Sequence, residues 1–393
     1  MHPALAGGTT VTISDTAPGA PSTGAMWFDS VGTQMYLFYN DGNRAQWVPT
    51  TNQVTGIQEA PSGGVLYGRR NSAWASVDAA IVPAQNNTGR NLLHNPLFNV
   101  TQRGAGPWNS SGVYTVDRWQ IAFTGDTMSS AVAAAADADR AAAGDETMQR
   151  MLSVTASGTA GAGAYSLLMQ PIEGVRRLAG KTVTVSFWAV ASAAGRRLGV
   201  SCNQVFGTGG SPSAGTSGTG QSVALTTSLA RYSVTLTIPS SAGKVLGTNG
   251  DDSTQLFIWY SASSTFNVNS GTVGVQTITA NLWGVQLEIG SVATPLEKPD
   301  PQQDLAKCQR FYQTISIVSG GYATSTGQIN SASAMPQVFM RAAPAITPIS
   351  NSNTNMGALT YAVFGASIQA YGYPVTAGGG YGIAVNLALS ADL

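Results

Sequence analysis

Charged residues are scarce in this chain. Of its 393 residues, 19 are Lys or Arg and 19 are Asp or Glu, so the formal net charge at pH 7 is zero and charged residues make up 10%. An ordinary soluble domain carries about a quarter. A neutral, charge-poor surface neutralises few phosphates and offers no basic stripe to anionic lipids. We therefore expect neither nucleic acid nor a membrane surface among its partners.

Cysteine, histidine and long apolar runs are also scarce. The two cysteines, Cys202 and Cys308, have neither the spacing of metal ligands nor that of a disulfide framework, so we expect buried thiols. No window approaches 18 consecutive apolar residues, which predicts no membrane insertion. The histidines are His2 and His94, so a Ser–His–Asp or Cys–His site would need His94. We expect no catalytic residues and no enzymatic activity.

Aromatic residues are concentrated within the first fifty positions. Three short runs, Met26–Asp29, Met35–Tyr39 and Ala45–Val48, are separated by turn signals that include Asp41-Gly42. Asp-Gly between such runs predicts a β-hairpin, because the tight turn needs positive φ. A unit this small does not bury a core alone, so we expect its aromatic residues to contact other copies of the chain. The predicted oligomer contacts are Trp27, Phe28, Tyr36, Phe38, Tyr39 and Trp47.

Short runs of strand-forming residues recur from residue 91 onward. Thr182–Phe187 alternates hydroxyl and apolar side chains, which is typical of a strand with one buried face. A series of such runs predicts a central β-sandwich. The predicted strands are Val113–Phe123, Gln149–Ala156, Ala164–Gln170, Thr182–Ala189, Leu198–Phe206, Tyr232–Ile238, Gln255–Tyr260 and Thr277–Glu288.

Three segments interrupt this pattern. Ala131–Ala143 prefers helix locally, but we expect strand and loop there because no partner for a lone helix lies nearby. Gly207–Gly220 is too rich in glycine for a regular element. Pro301–Gln313 predicts a short helix with Asp300 as its cap. The strands predicted after it, as a small C-terminal sandwich, are Val338–Met340, Leu359–Phe364, Ile368–Tyr373 and Tyr381–Leu389.

Several spaced motifs resemble a β-sandwich module of bacteriophage tail fibre and related virion proteins. Asn91–Phe98, Gln102–Gly104 and Tyr114–Trp119 are similar to its opening, and Trp283–Gly290 fits the same pattern. The segment Met26–Asp29 with Asn40–Gly42 resembles repeats near the N-termini of tail fibres. The resemblance implies a jelly-roll sandwich similar to carbohydrate-binding modules, carried on a fibre or spike that is often trimeric. Further matching segments are Gln170–Gly174, Leu178–Lys181, Ser186–Ala189, Ala293–Glu297 and Leu305–Tyr312.

Residues and resemblance together predict an all-β protein in four parts. Residues 1–50 form a β-hairpin segment for virion attachment and trimerisation, and residues 51–90 form a linker or neck. Residues 91–299 form a jelly-roll module like those that bind carbohydrate, and residues 300–393 form a short helix and a small C-terminal β-sandwich. The resemblance implies a structural protein of a tailed phage, made in the host cytoplasm and exposed on the virion surface. It would join other virion proteins through its N-terminus and adhere to a host surface polysaccharide.

Two alternatives to adhesion stay open. The first is a non-adhesive head fibre, capsid decoration or fibre connector protein. The second is a polysaccharide depolymerase, which would need two carboxylates at suitable separation. Asp251 and Asp252 follow a turn-like Asn249-Gly250 pair and are weak candidates for a structural calcium ion, since hard cations take carboxylate oxygens. No other metal or cofactor is expected.

Aromatic residues on loops are the candidate sugar contacts. The apolar faces of sugar rings stack on Trp and Tyr, while sugar hydroxyls need polar partners. Trp108 and Tyr114 flank a Pro- and Gly-containing loop, and a second group of tyrosines lies near Gly378–Gly380. The candidates are Trp108, Tyr114, Tyr361, Tyr371, Tyr373 and Tyr381. In contrast, Trp119, Trp188, Trp259 and Trp283 lie within alternating strands, which predicts core packing.

Overall fold

The computed structural model describes residues 10–50, 67–70, 73–76 and 89–393, and it confirms the all-β fold. The chain divides into two compact units, Met1–Val82 and Pro83–Leu393. The described helices are short: α1 is Asp137–Ala143, α2 is Asn267–Ser270 and α3 is Pro301–Gln309. None of these described helices has the length and apolarity needed to cross a membrane.

The first unit contains a four-stranded sheet in which all three predicted N-terminal strands are confirmed. The sheet order follows the chain, with the first two strands parallel and the others antiparallel. The first strand was not predicted. The strands are β1 Val11–Ser14, β2 Met26–Asp29, β3 Gln34–Asn40 and β4 Ala45–Pro49.

One face of this sheet holds an aromatic cluster. The Trp27 and Tyr36 rings stack with centroids 5.0 Å apart, and Phe38 meets Trp47 edge-on at 5.2 Å. Trp27 is 8% exposed, and its indole Nε1 donates to the Ser14 carbonyl of β1 at 3.2 Å. Trp27, one of the predicted oligomer contacts, is therefore covered within its own chain by the unpredicted strand β1 and by the neighbouring rings of Tyr36 and Trp47.

The predicted linker over residues 51–90 lies largely outside the described residues. Within it, β5 Tyr67–Arg70 and β6 Ala73–Ser76 pair antiparallel.

The second unit begins with the predicted sandwich, built from two five-stranded antiparallel sheets. The front sheet contains β7 Gln120–Thr124, β10 Tyr165–Glu173, β12 Arg197–Val205, β13 Gln221–Ala224 and β15 Ser253–Ala262, in the order β13-β12-β15-β10-β7. The back sheet contains β8 Thr127–Ala134, β9 Arg150–Ser157, β11 Thr182–Ala191, β14 Ala230–Thr237 and β16 Thr277–Ile289, in the order β14-β11-β16-β9-β8. Alternate residues such as Leu256 and Ile258 of β15 and Val183 and Val185 of β11 point inward and form one core.

Two local predictions in the sandwich are corrected by the structure. The strand predicted over Val113–Phe123 begins only at Gln120, because the chain turns through Arg118 at φ +72°. The strand and loop expected over Ala131–Ala143 give way to helix α1 after Ala134. The helix buries no side chain fully, but Ala143 packs against a hydrophobic cluster that includes Met148 and Leu229, and Gly144 ends the helix in the left-handed conformation.

The rest of the second unit is the predicted short helix and small sandwich. Helix α3 ends at Gln309, and the Asp300 carboxylate caps it by accepting from the Gln302 and Gln303 amides at 3.0 and 3.1 Å. The two three-stranded sheets enclose a core that includes Ile317 and Leu387. The strands are β17 Tyr312–Ala323, β22 Gly379–Ser390 and β19 Ala345–Asn351 in one sheet, and β18 Asn330–Ala334, β21 Ser367–Gly372 and β20 Thr360–Phe364 in the other.

The strand predicted over Val338–Met340 is wrong. That segment contains no strand, and the Val338 carbonyl instead accepts a hydrogen bond from the side-chain amide of Gln313 at 2.7 Å. A side chain thus satisfies a backbone group that a sheet ladder would otherwise satisfy.

Candidate functional site: a groove on the front sheet

Two neighbouring strands of the front sheet, β10 and β15, carry apolar side chains on both faces. Cross-strand pairs Leu167–Trp259 and Met169–Phe257 face away from the core, and the residues between them face into it. An outward apolar face needs either a cover or a ligand, because it is otherwise left in water.

A short segment after β15 covers part of this face. It carries Phe266, whose ring centroid lies 5.3 Å from that of Tyr165 and 5.5 Å from that of Trp259. Trp259 is 2% exposed, and its Nε1 donates to the Ser201 hydroxyl at 2.9 Å. Trp259 therefore lies at the base of this face, and the half-buried rings of Tyr165, Phe257 and Phe266 around it remain accessible to solvent.

Two asparagine side chains meet beside these rings. Asn269 of α2 donates through Nδ2 to Asn203 Oδ1 at 2.9 Å and to the Gly218 carbonyl at 2.6 Å. Asn203 Oδ1 also accepts from the Gly218 amide at 3.1 Å. The other two side-chain atoms, Asn203 Nδ2 and Asn269 Oδ1, lie 3.5 Å apart and form only a long, weak hydrogen bond with each other. A donor and an acceptor therefore lie side by side, an arrangement that suits adjacent hydroxyls of a ligand.

The glycine-rich loop forms a rim of the same site. As predicted, Gly207–Gly220 contains neither strand nor helix, and an isolated bridge joins Thr216 to Gln204 of β12. A Cβ atom at Gly218 would lie 2.3 Å from the Cys202 carbonyl oxygen, so this close approach of loop to strand requires glycine.

These elements enclose a groove of about 520 Å³, within the size range of small-molecule sites. None of its lining residues is charged. They are Ala122, Tyr165, Leu167, Met169, Asn203, Ser217, Gly218, Phe257, Trp259, Thr265, Phe266, Val268 and Asn269. The groove therefore combines apolar rings with neutral hydrogen-bonding groups.

The sugar contacts predicted in the sandwich lie elsewhere. Trp108 packs partly against the sandwich core, and its backbone amide donates to the Ser130 carbonyl at 2.8 Å. Tyr114 donates its hydroxyl proton to the Leu393 carbonyl at 2.8 Å, with the Arg103 guanidinium 5.1 Å from its ring centroid. Burial raises the pKa of Tyr114 to about 12. Neither residue lines the groove, and their role in sugar binding stays a prediction.

The tyrosines predicted in the C-terminal sandwich form a separate group. Tyr361 and Tyr381 pack partly against the core of that sandwich, and Tyr371 is half-buried. Tyr373 is 52% exposed. The structure does not bring these residues to the groove, so a second sugar contact at this end also stays a prediction.

The acidic pair and the cysteines have structural contacts. Asp251 accepts from the Thr208 amide at 2.7 Å, and Asp252 accepts from the Val175 amide at 2.8 Å. Within the described ranges, no three His, Cys, Asp or Glu side chains gather as metal ligands. Cys202 and Cys308 are buried free thiols, as predicted.

Sequence reasoning missed the groove because it assigned its central tryptophan to the core. Trp119, Trp259 and Trp283 are buried as predicted, and Trp188 is half-buried, but Trp259 is buried on the outer face of its sheet. The signal was present in Gln255–Tyr260, where aromatic Phe257 and Trp259 alternate with residues that already fill the core.

Comparison with known proteins gives structural neighbours only. No family model and no curated protein sequence matches the chain. The chain is similar to a family 11 carbohydrate-binding module from Clostridium thermocellum, with 12% identity over 48% of this chain and 98% of that one and a TM-score of 0.29. It is also similar to the N-terminal cellulose-binding domain of Cellulomonas fimi β-1,4-glucanase C, with 19% identity, 36% and 80% coverage and a TM-score of 0.25.

A third neighbour comes from a phage. It is the enzymatically active domain of tailspike protein 4 of bacteriophage CBA120, with 11% identity over 51% of this chain and 22% of that one and a TM-score of 0.27. The solved structures that this chain resembles thus include carbohydrate-binding modules and a phage tailspike domain.

Proposed function

We propose that this chain is an adhesion protein that binds a glycan along the groove of its front sheet. The observation that carries the proposal is the groove itself, where half-buried aromatic rings lie beside an amide donor–acceptor pair. The rings of Tyr165, Phe257 and Phe266 match the apolar faces of sugars, and Asn203 with Asn269 matches their hydroxyls.

The absence of charge among the lining residues favours an uncharged stretch of glycan. A charged sugar entering this groove would lose water without gaining an ion pair, which is unfavourable. The lining also holds no carboxylate, whereas glycoside hydrolysis ordinarily uses a pair of them. We therefore propose binding without enzymatic cleavage at this site.

We further propose that the protein acts on the surface of a tailed phage virion, as a homotrimer joined to other virion proteins through its N-terminus. The sequence resemblance to tail fibre proteins supports this placement. The N-terminal sheet supports the trimer, because Ile13 is 70% exposed and Tyr39 is 50% exposed. Leu37 and Val48 are each 37% exposed, so apolar surface remains available for other copies.

The test is a glycan array with the full-length chain, followed by calorimetry on the sugars that bind. Phe257→Ala and Phe266→Ala should each weaken binding about tenfold, since a lost aromatic contact is worth about 1 kcal/mol or somewhat more. Phe364→Ala is the matched control, because this phenylalanine is 73% exposed in the C-terminal sandwich. Tyr373→Ala tests the predicted C-terminal contact separately.

The outcomes separate the alternatives. Equal affinity in the groove variants and the control would refute the groove as the site. A chain that binds no glycan on the array would favour the connector or decoration role. Release of oligosaccharides from host polysaccharide would favour the depolymerase.

A further inference from the structure

A small, partly open cavity lies where the large sandwich meets the C-terminal part of the second unit. Its volume is about 50 Å³, and its polar wall comes from His94, Arg118, Gln170, Glu173 and Arg177, with the Phe311 ring closing one side. A single water needs about 10–15 Å³, so the space admits a small ion or a few waters.

Arg118 is the most deeply buried charge at this cavity. It is 2% exposed, with its guanidinium carbon 3.4 Å from the Phe311 ring centroid, and Nη2 donates to the Pro171 carbonyl at 2.6 Å. Among the described residues, Nε and Nη1 find no hydrogen-bond acceptor. The carboxylate paired with Arg118, that of Asp392, has its Oδ1 3.6 Å from Nη1, beyond normal hydrogen-bond length.

His94 adds a second buried polar group. In the described part of the chain, its Nδ1 is also without a hydrogen-bond partner. Burial and the positive charges of Arg118, Lys307, Arg177 and Arg310 lower the pKa of His94 to about 3. The imidazole is therefore neutral at physiological pH, and the field at this point is positive.

The carboxylates near the cavity are already shared. Glu173 pairs with both Arg310 and Arg341, and Asp392 pairs with Arg103 as well as Arg118. In these ion pairs two carboxylates serve four guanidiniums, and the carboxyl of Asp117, whose pKa burial raises, lies near Arg103. Because a buried charge without full compensation is costly, the junction favours an additional negative charge.

We propose that this cavity binds a halide-sized inorganic anion, with chloride as its physiological occupant. The anion accepts a hydrogen bond from Nε of Arg118, since Nη1 faces the Asp392 carboxylate, and Arg177 adds positive charge at the wall. Its binding stabilises the contact between the large sandwich and the C-terminal part. The proposal is independent of glycan binding, because no residue lines both the cavity and the groove.

The experiment measures thermal unfolding of the full-length chain at constant ionic strength while gluconate, which is too bulky for the cavity, is replaced by chloride or bromide. Ligand linkage predicts that Tm rises with the logarithm of anion concentration above Kd, by about 4 °C at a hundredfold excess over Kd. A crystal grown in bromide should show an anomalous peak within about 3.5 Å of Arg118 Nε.

Two neighbouring arginines provide a matched pair of variants. Arg176 and Arg177 are both exposed, but only Arg177 lines the cavity. Arg177→Ala should raise the Kd for chloride about fivefold, and Arg176→Ala should leave it unchanged. Any of three results would overturn the proposal. The Tm could be equal in gluconate and chloride, or the two variants could have equal Kd values for chloride. The third result is a bromide crystal in which the cavity contains water and no bromide.

Discussion

Asp392 connects the end of the chain to the large sandwich, and removing its charge should destabilise the second unit. Its side chain is 9% exposed between Arg103 and Arg118, whose side chains are 12% and 1% exposed. Asp392→Asn keeps the size of the side chain but leaves both guanidiniums without a carboxylate. Removing one partner of a buried pair costs about 3–5 kcal/mol, and we expect about 3 kcal/mol because the amide oxygen still accepts a hydrogen bond. For a unit of this size, that corresponds to a decrease in Tm of about 5 °C.

The assay is urea unfolding of the full-length chain at pH 7 and constant chloride, followed by tryptophan fluorescence. Asp137→Asn is the matched control, because this aspartate pairs with Arg140 on the surface helix α1 and its side chain is 96% exposed. The control should unfold at the wild-type urea concentration, since exposed pairs contribute little. If Asp392→Asn also unfolds at the wild-type concentration, the reasoning about the buried pair is refuted.

Four further outcomes are expected. His94 has a folded-state pKa of about 3, below its ordinary 6.5, so the unfolded chain binds the extra proton and the free energy of unfolding decreases as the pH falls below 6.5. In urea unfolding, lowering the pH from 7 to 5 should cost the wild type about 2 kcal/mol more than it costs His94→Phe. Equal losses in the two proteins would contradict this prediction. Ile13→Ser with Tyr39→Ser should shift the proposed trimer towards monomer in sedimentation, whereas an unchanged trimer at micromolar concentration would place its contacts elsewhere. Asn269→Ala removes two hydrogen bonds that hold the groove rim, so calorimetry should show glycan affinity decreasing about tenfold. Unchanged affinity would show that Asn203 and Asn269 are not part of the binding site. Residues 91–299 expressed alone should give a β-type circular dichroism spectrum, and a disordered spectrum would show that the sandwich needs the C-terminal part.

Local patterns in the sequence were sufficient for most of the strands and for one helix. Thr182–Phe187 alternates cleanly, and the structure places a strand there with its apolar side chains in the core and its hydroxyl side chains on the opposite face. The helix after Asp300 was predicted from its capping residue and from the proline at its first position. Both signals lie at the start of the helix and depend only on residues within about four positions of each other. Helix α1 was missed because no packing partner lies nearby in the sequence, whereas in the folded chain Ala143 packs against a cluster of residues that includes the distant Leu229.

The groove was decided by tertiary structure. Leu256–Tyr260 is apolar at every position, so alternation did not distinguish the core face from the outer face, and Trp259 was assigned to the wrong one. Asn203 and Asn269 are distant in sequence, and they meet only because β12 pairs with β15 and the chain after β15 folds back over the sheet. Sequence periodicity therefore determined which segments are strands, because that preference is local. Only packing between distant segments determined which apolar residues fill the core and which form a binding surface.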